Sequence, residues 1–192
     1  MKWLLFTGLV CAVAAFGAEP AGAAYDYVDI GDTLSEAGHN LAGWGPIEPE
    51  ASGGTYGGID DCRVIYAPGE LEDENWATVD LDFGPPDTPE EKCLVVRILD
   101  GISGTDSFDA FVNGNYVGSY NDDIVGGENW ITTEFNVSDY SGVCTVKFVS
   151  TEPPWDQFDQ FGQVAIDEIT VWECTATALS GTTWGCVKAL YR

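Results

Sequence analysis

The feature that most constrains this chain is its hydrophobic period, which is two almost wherever a period can be read. "WATVDLDF" sets Val79, Leu81 and Phe83 against Thr78, Asp80 and Asp82, the alternation of a strand with one buried and one acidic face. "CLVVRIL" is apolar on both sides except at Arg97, as a central strand would be. "SFDAFVNGNYVGSY" carries Asn113-Gly114 between two strand-like runs, the pair that accepts the positive φ angles of a tight hairpin turn. Further strand candidates are Tyr25 to Ile30, Arg63 to Ala67, Trp130 to Phe135, Val143 to Ser150 and Val164 to Trp172. About nine strands separated by Gly, Pro and Asp clusters, with helix confined to a turn or two, predict an all-β fold: an antiparallel β-sandwich.

The last strand contains a break in this pattern. Val164 and Ile166 occupy even positions, whereas Ile169 and Val171 occupy odd ones, so the phase slips at Asp167-Glu168. An extra residue on one strand is a β-bulge, which re-aims the side chains beside it; an ordinary edge bulge explains the slip as well as a site does.

The first residues are set aside from the fold. Lys2, the apolar run from Trp3 to Phe16 and the small residues after it read as a secretory signal peptide, with Ala21-Gly22-Ala23 as the best cleavage pattern. The expected organisation is a signal peptide over 1–23, one β-sandwich domain over 24–174 and a tail over 175–192. No later segment approaches the ~20 apolar residues of a membrane span. The expectation is a secreted or cell-surface protein.

Charge narrows the partners. Without Lys2 and Glu19, the net charge of −25 lies wholly in the remaining chain, and a field of that sign repels phosphate backbones. Nucleic acid is excluded as a partner; cations are attracted, and a surface solvated in a salty exterior accounts for the same charge. Cys62, Cys93, Cys144, Cys174 and Cys186 follow the apolar leader, and in an oxidising compartment they predict two disulfides and one leftover thiol, with the pairing open. No Cys-x-x-Cys occurs and there is one histidine, which argues against zinc.

That histidine, His39, lies in "DIGDTLSEAGHN" among carboxylates and glycines. Asp29, Asp32 and Glu36 do not have the spacing of an EF-hand loop. Thr33-x-x-Glu36 matches a capping box at a helix start, which explains both residues without a metal. Catalysis has no support here: so many acids offer carboxylate pairs by chance, and no Gly-x-Ser-x-Gly accompanies His39. His39 reads as a loop-ordering residue, and the chain as a non-enzyme.

With its acidic loop after the first strand, its "DSFDAFVNG" hairpin and its terminal "AIDEITVW" strand, the chain resembles a galactose-binding-like jelly roll of the kind found in calcium-containing carbohydrate-binding modules. The resemblance spans roughly residues 25 to 172. It implies a structural Ca2+ joining the amino-terminal region to an aspartate of the last strand. Asp167 matches that aspartate, with Glu36 or Asp29 as the amino-terminal partner, although such modules place a glutamate within the first strand where this chain has Asp26 and Asp29.

Sugars stack their apolar faces on flat aromatic rings while their hydroxyls bond to polar side chains. Trp44 in "GWGP", Tyr56 in "GGTYGG", Tyr120 and Trp155 in "PPWDQF" sit in or beside loops and are the expected contacts for an extracellular glycan. Each ring taken alone is more often core than platform; several in glycine-rich loops raise the joint chance that one contacts ligand. Arg63 and Arg97 are each expected to pair with a carboxylate. The competing expectation is a structural or adhesive surface component that recognises protein or assembles with itself; a glycan-cleaving enzyme is the third.

Overall fold

The computed structural model describes residues 24–45, 47–48, 62–66, 75–86, 91–100, 107–121, 129–151 and 163–174. Their elements run β1 (Ala24–Asp29), α1 (Thr33–Glu36), β2 (Ile47–Glu48), β3 (Cys62–Tyr66), β4 (Trp76–Asp82), β5 (Lys92–Asp100), β6 (Ser107–Val112), β7 (Asn115–Asn121), β8 (Asn129–Asn136), β9 (Val143–Ser150) and β10 (Gln163–Glu173). β2 has two residues, so nine strands carry the architecture, as the alternation predicts. The only described helix is the four-residue α1.

Two antiparallel sheets form. One has the order β2-β3-β10-β5-β8, with β1 also paired to β10, and the other β4-β9-β6-β7. β1 and β3 share one edge of β10 end to end: β1 pairs with residues 168–172 and β3 with residues 163–166. Residue 167 lies at the gap between them, where its carbonyl accepts the Ile30 amide at 2.6 Å.

Alternation places one apolar set from each sheet in a common core. Val96, Ile98, Ile166 and Ile169 from the first sheet meet Val79, Leu81, Phe108 and Phe148 from the second, all fully buried. The central strands β5 and β10 are buried on their other face too, where Cys93, Val95 and Trp172 cluster, which is why "CLVVRIL" is apolar on both sides. The β6–β7 hairpin turns at Asn113 (φ 49°) and Gly114 (φ 79°), the positive angles this pair accepts.

The cysteines depart from expectation in part. Cys93 and Cys174 form a disulfide. The buried Cys144 thiol donates to the Ser141 carbonyl, and Cys62 is buried beside Val64 and Ala165; Cys186 lies outside the described residues. One disulfide, not two, is present among the described residues.

Candidate functional site

Polar side chains converge where β1 and β3 meet on β10. The phase slip is a bulge: the β10–β5 register jumps between Ile166 and Glu168, with Ile166 opposite Ile98 and Glu168 opposite Arg97. Asp167 and Glu168 thereby turn to the same outer face against one arginine. Arg97 Nη1 donates to Asp167 Oδ2 at 2.5 Å and lies 3.8 Å from Glu168 Oε1. Asp167 is 0% and Glu168 1% exposed, so this charge pairing is screened little by water. The Tyr27 hydroxyl reaches Glu168 Oε1 at 3.2 Å and Asp29 Oδ2 at 3.5 Å. Burial first, then the negative charge of Glu168 and Asp29, raises the Tyr27 pKa far above the ordinary tyrosine range.

The α1 turn closes over the neighbouring stretch. Asp32, not Thr33, caps α1, accepting the Leu34 amide at 2.8 Å. The expected Thr33–Glu36 capping box is therefore corrected: Glu36 Oε1 accepts the Gly31 amide at 2.9 Å, and both Glu36 oxygens take Arg63 donors, Nε at 2.6 Å and Nη2 at 2.7 Å. A forked guanidinium matches a carboxylate edge, and these bonds raise the Arg63 pKa further. His39 orders the loop as expected, with Nδ1 2.9 Å from the Ser35 carbonyl and Nε2 3.2 Å from Asp26 Oδ1.

The carboxylates Asp29, Glu36 and Asp167, which the resemblance assigned to Ca2+, all lie in this region, yet they do not fit the ion as arranged. Calcium takes six to eight oxygens. Both Glu36 oxygens face Arg63, and Asp167 Oδ2 faces Arg97. No group of three or more His, Cys, Asp or Glu able to hold a metal occurs among the described residues.

The expected glycan contacts fare differently. Trp44 packs against the core, edge-on to Phe148, and its indole N–H donates to the Thr78 carbonyl at 2.7 Å, so the ring fastens its loop to β4. Tyr120 points inward, its ring 5.6 Å from Phe108. Tyr56 and Trp155 lie outside the described residues. The structure thus brings Trp44 and Tyr120 to the core and not to a shared surface.

An aromatic surface stands elsewhere, on the outer face of β4-β9-β6-β7. Register places Trp76, Val149, Asp109 and Ser119 in one row across the strands, and Thr78, Lys147, Phe111 and Tyr116 in the next. Phe111 and Tyr116 meet edge to face at 5.7 Å, and Lys147 Nζ stands 5.2 Å from the Trp76 ring centre. The Tyr116 hydroxyl shares a 2.7 Å hydrogen bond with Ser119 Oγ, which donates to Asp109 Oδ1. Asp80 accepts from Thr145 Oγ1 at 2.6 Å and Asn40 Nδ2 at 2.8 Å. Tyr116 is 59% exposed.

A second bulge builds this face. Simple alternation would put Tyr116, Gly118 and Tyr120 on one side of β7. The β6–β7 register jumps between Ala110 and Phe111, pairing Ala110 with Gly118 but Phe111 with Tyr116. The extra residue turns Tyr116 outward while Tyr120 stays inward. Gly118 is required there, because a Cβ would stand 2.6 Å from Phe135 Cδ1. The sequence signal for this face was Phe111, an aromatic at the outward phase of "SFDAFV" where a polar residue is expected.

No family model and no curated protein matches the chain in sequence. Among solved structures it resembles a carbohydrate-binding module CBM36 in complex with calcium and xylotriose (20% identity, 69% of this chain and 98% of that chain, TM-score 0.43). It also resembles a family 35 carbohydrate binding module from Clostridium thermocellum (16% identity, 76% of this chain and 97% of that one, TM-score 0.49). An exo-beta-1,3-galactanase from Phanerochaete chrysosporium with galactose matches at 16% identity over 79% of this chain but 29% of its own length, TM-score 0.44.

Proposed function

We propose that this protein is a secreted or surface-held, non-catalytic glycan-binding β-sandwich whose ligand lies across the outer face of β4-β9-β6-β7. The observation that carries the reading is the exposed Tyr116 beside Phe111, with Trp76 on the same face at the opposite edge strand β4, interleaved with Asp109, Ser119, Lys147 and Thr145. Rings stack on the C–H faces of a pyranose, and the hydroxyl, carboxylate and ammonium groups between them pair with sugar hydroxyls. From Trp76 to Phe111 the face spans roughly 12 Å, two strand spacings across and two residues along, which suits an oligosaccharide better than a monosaccharide. An extracellular setting is supported by the Cys93–Cys174 disulfide and by the apolar leader.

A glycan array followed by calorimetric titration of the best ligand tests this. Saturable glycan binding that weakens in both Tyr116→Ala and Trp76→Ala supports the reading. Binding to no glycan, together with concentration-dependent assembly in sedimentation velocity, overturns it in favour of an adhesive component; the exposed Val143 at the start of β9 would then belong to a protein contact. Polysaccharide turnover would establish an enzyme instead.

A further inference from the structure

We infer that this fold closes its chain ends with two arginines in place of a divalent cation, so that its folding is independent of calcium. The junction needs positive charge. β1 and β3 abut on β10 where the bulge turns two buried carboxylates, Asp167 and Glu168, to one face, with Asp29 paired to Glu168 across the strands. Buried carboxylates without a counter-charge are strongly destabilising. Arg97 supplies that charge to both residues, because the bulge sets two β10 residues against this single β5 residue.

Arg63 does the equivalent for the amino-terminal loop. It holds Glu36 through two nitrogens and donates through Nη1 to the Gly45 carbonyl at 3.1 Å, so one side chain ties α1, the Trp44 loop and β3 together. A guanidinium is always charged and offers directed donors, so it fixes geometry as well as charge. Tyr27 spreads the remaining negative charge by hydrogen bonding to Glu168 and Asp29. Glu36 and Asp167, which a metal clasp would draw to one ion, instead have separate guanidinium partners.

The test compares thermal unfolding of the full chain in millimolar calcium and in chelator, at about 0.15 M salt so that surface carboxylates are screened. The wild type should show midpoints within about 1 °C of each other. Arg97→Met should melt roughly 10 °C lower in chelator and recover part of that loss in calcium, because the vacated carboxylates then accept the ion. A rise of several degrees with calcium in the wild type overturns the inference, as does an Arg97→Met variant as stable as wild type in chelator. Should Arg97→Met fail to fold, terbium chloride titration of the wild type decides: stoichiometric, saturable sensitised luminescence that calcium competes away refutes the arginine clasp, and its absence supports it.

Discussion

Tyr116→Ala separates a binding surface from a structural one. Tyr116 is 59% exposed, and an aromatic side chain offers about 150–250 Å² in all, so roughly 120 Å² faces solvent. A sugar ring covering half of that removes about 60 Å² of apolar surface from water, worth about 1.5 kcal/mol at ~25 cal/mol per Å². The dissociation constant should therefore rise about tenfold. Folding should lose a comparable amount while the variant stays folded, since the ring's edge contact with Phe111 is worth about 0.5–1.5 kcal/mol and its exposed hydroxyl bond to Ser119 about as much again. Isothermal titration with the best array ligand, alongside calorimetric unfolding, reads both quantities. Leu34→Ala is the control, an 86%-exposed apolar residue on α1 away from the face, and it should leave both unchanged. Phe111→Ala should weaken binding similarly, and the double variant by less than the sum because the two rings touch. An unchanged dissociation constant in Tyr116→Ala, or loss of binding only where the variant has unfolded, refutes the reasoning.

Three other outcomes follow from the geometry. Cys93→Ala with Cys174→Ala opens a cross-link of sequence separation 81, which chain entropy values at about 4.5 kcal/mol; the calorimetric midpoint should fall by roughly 9–18 °C, and a fall under about 2 °C would count against it. The raised Tyr27 pKa means that above the ordinary value of 10.0 the unfolded tyrosine loses its proton while the folded one keeps it. The unfolded state then holds fewer protons, so this stabilisation, complete below that value, is lost as pH rises past it, and Tyr27→Phe should flatten the alkaline fall of the urea midpoint. Gly118→Ala drives a Cβ to within 2.6 Å of Phe135 Cδ1 and should cost about 1–3 kcal/mol in urea unfolding, weakening ligand binding because the bulge that aims Tyr116 must shift.

The sheet face that carries the proposed function was less legible than the fold around it. Trp44 looked like a platform because it stands in a glycine-flanked loop, but its indole N–H reaches the Thr78 carbonyl and its ring the core. A loop aromatic is drawn inward whenever a carbonyl and an apolar surface lie within its reach, and neither can be seen from its neighbours in sequence. Glu36 and Asp167 are assigned to a metal by the resemblance to calcium-containing modules; the arginines that neutralise them lie 27 and 70 residues away in sequence.

Two bulges draw the boundary between what the chain's order of residues determines and what only folding decides. The bulge at Asp167-Glu168 could be read directly, because strongly apolar residues flank it and their parity changes from Ile166 to Ile169. The strands, the hairpin at Asn113-Gly114 and the sandwich follow from the same source, since alternation leaves no other way to bury one face of each strand. The bulge in β7 left no such trace: tyrosine, valine, glycine and serine there tolerate either face, so parity carries no information. Pairing with β6 and the closeness of Phe135 to Gly118 turned Tyr116 outward, and pairing with β5 gave Asp167 its arginine. Local pattern determines which residues must leave water; only contacts between distant strands determine which polar and aromatic groups meet once they have.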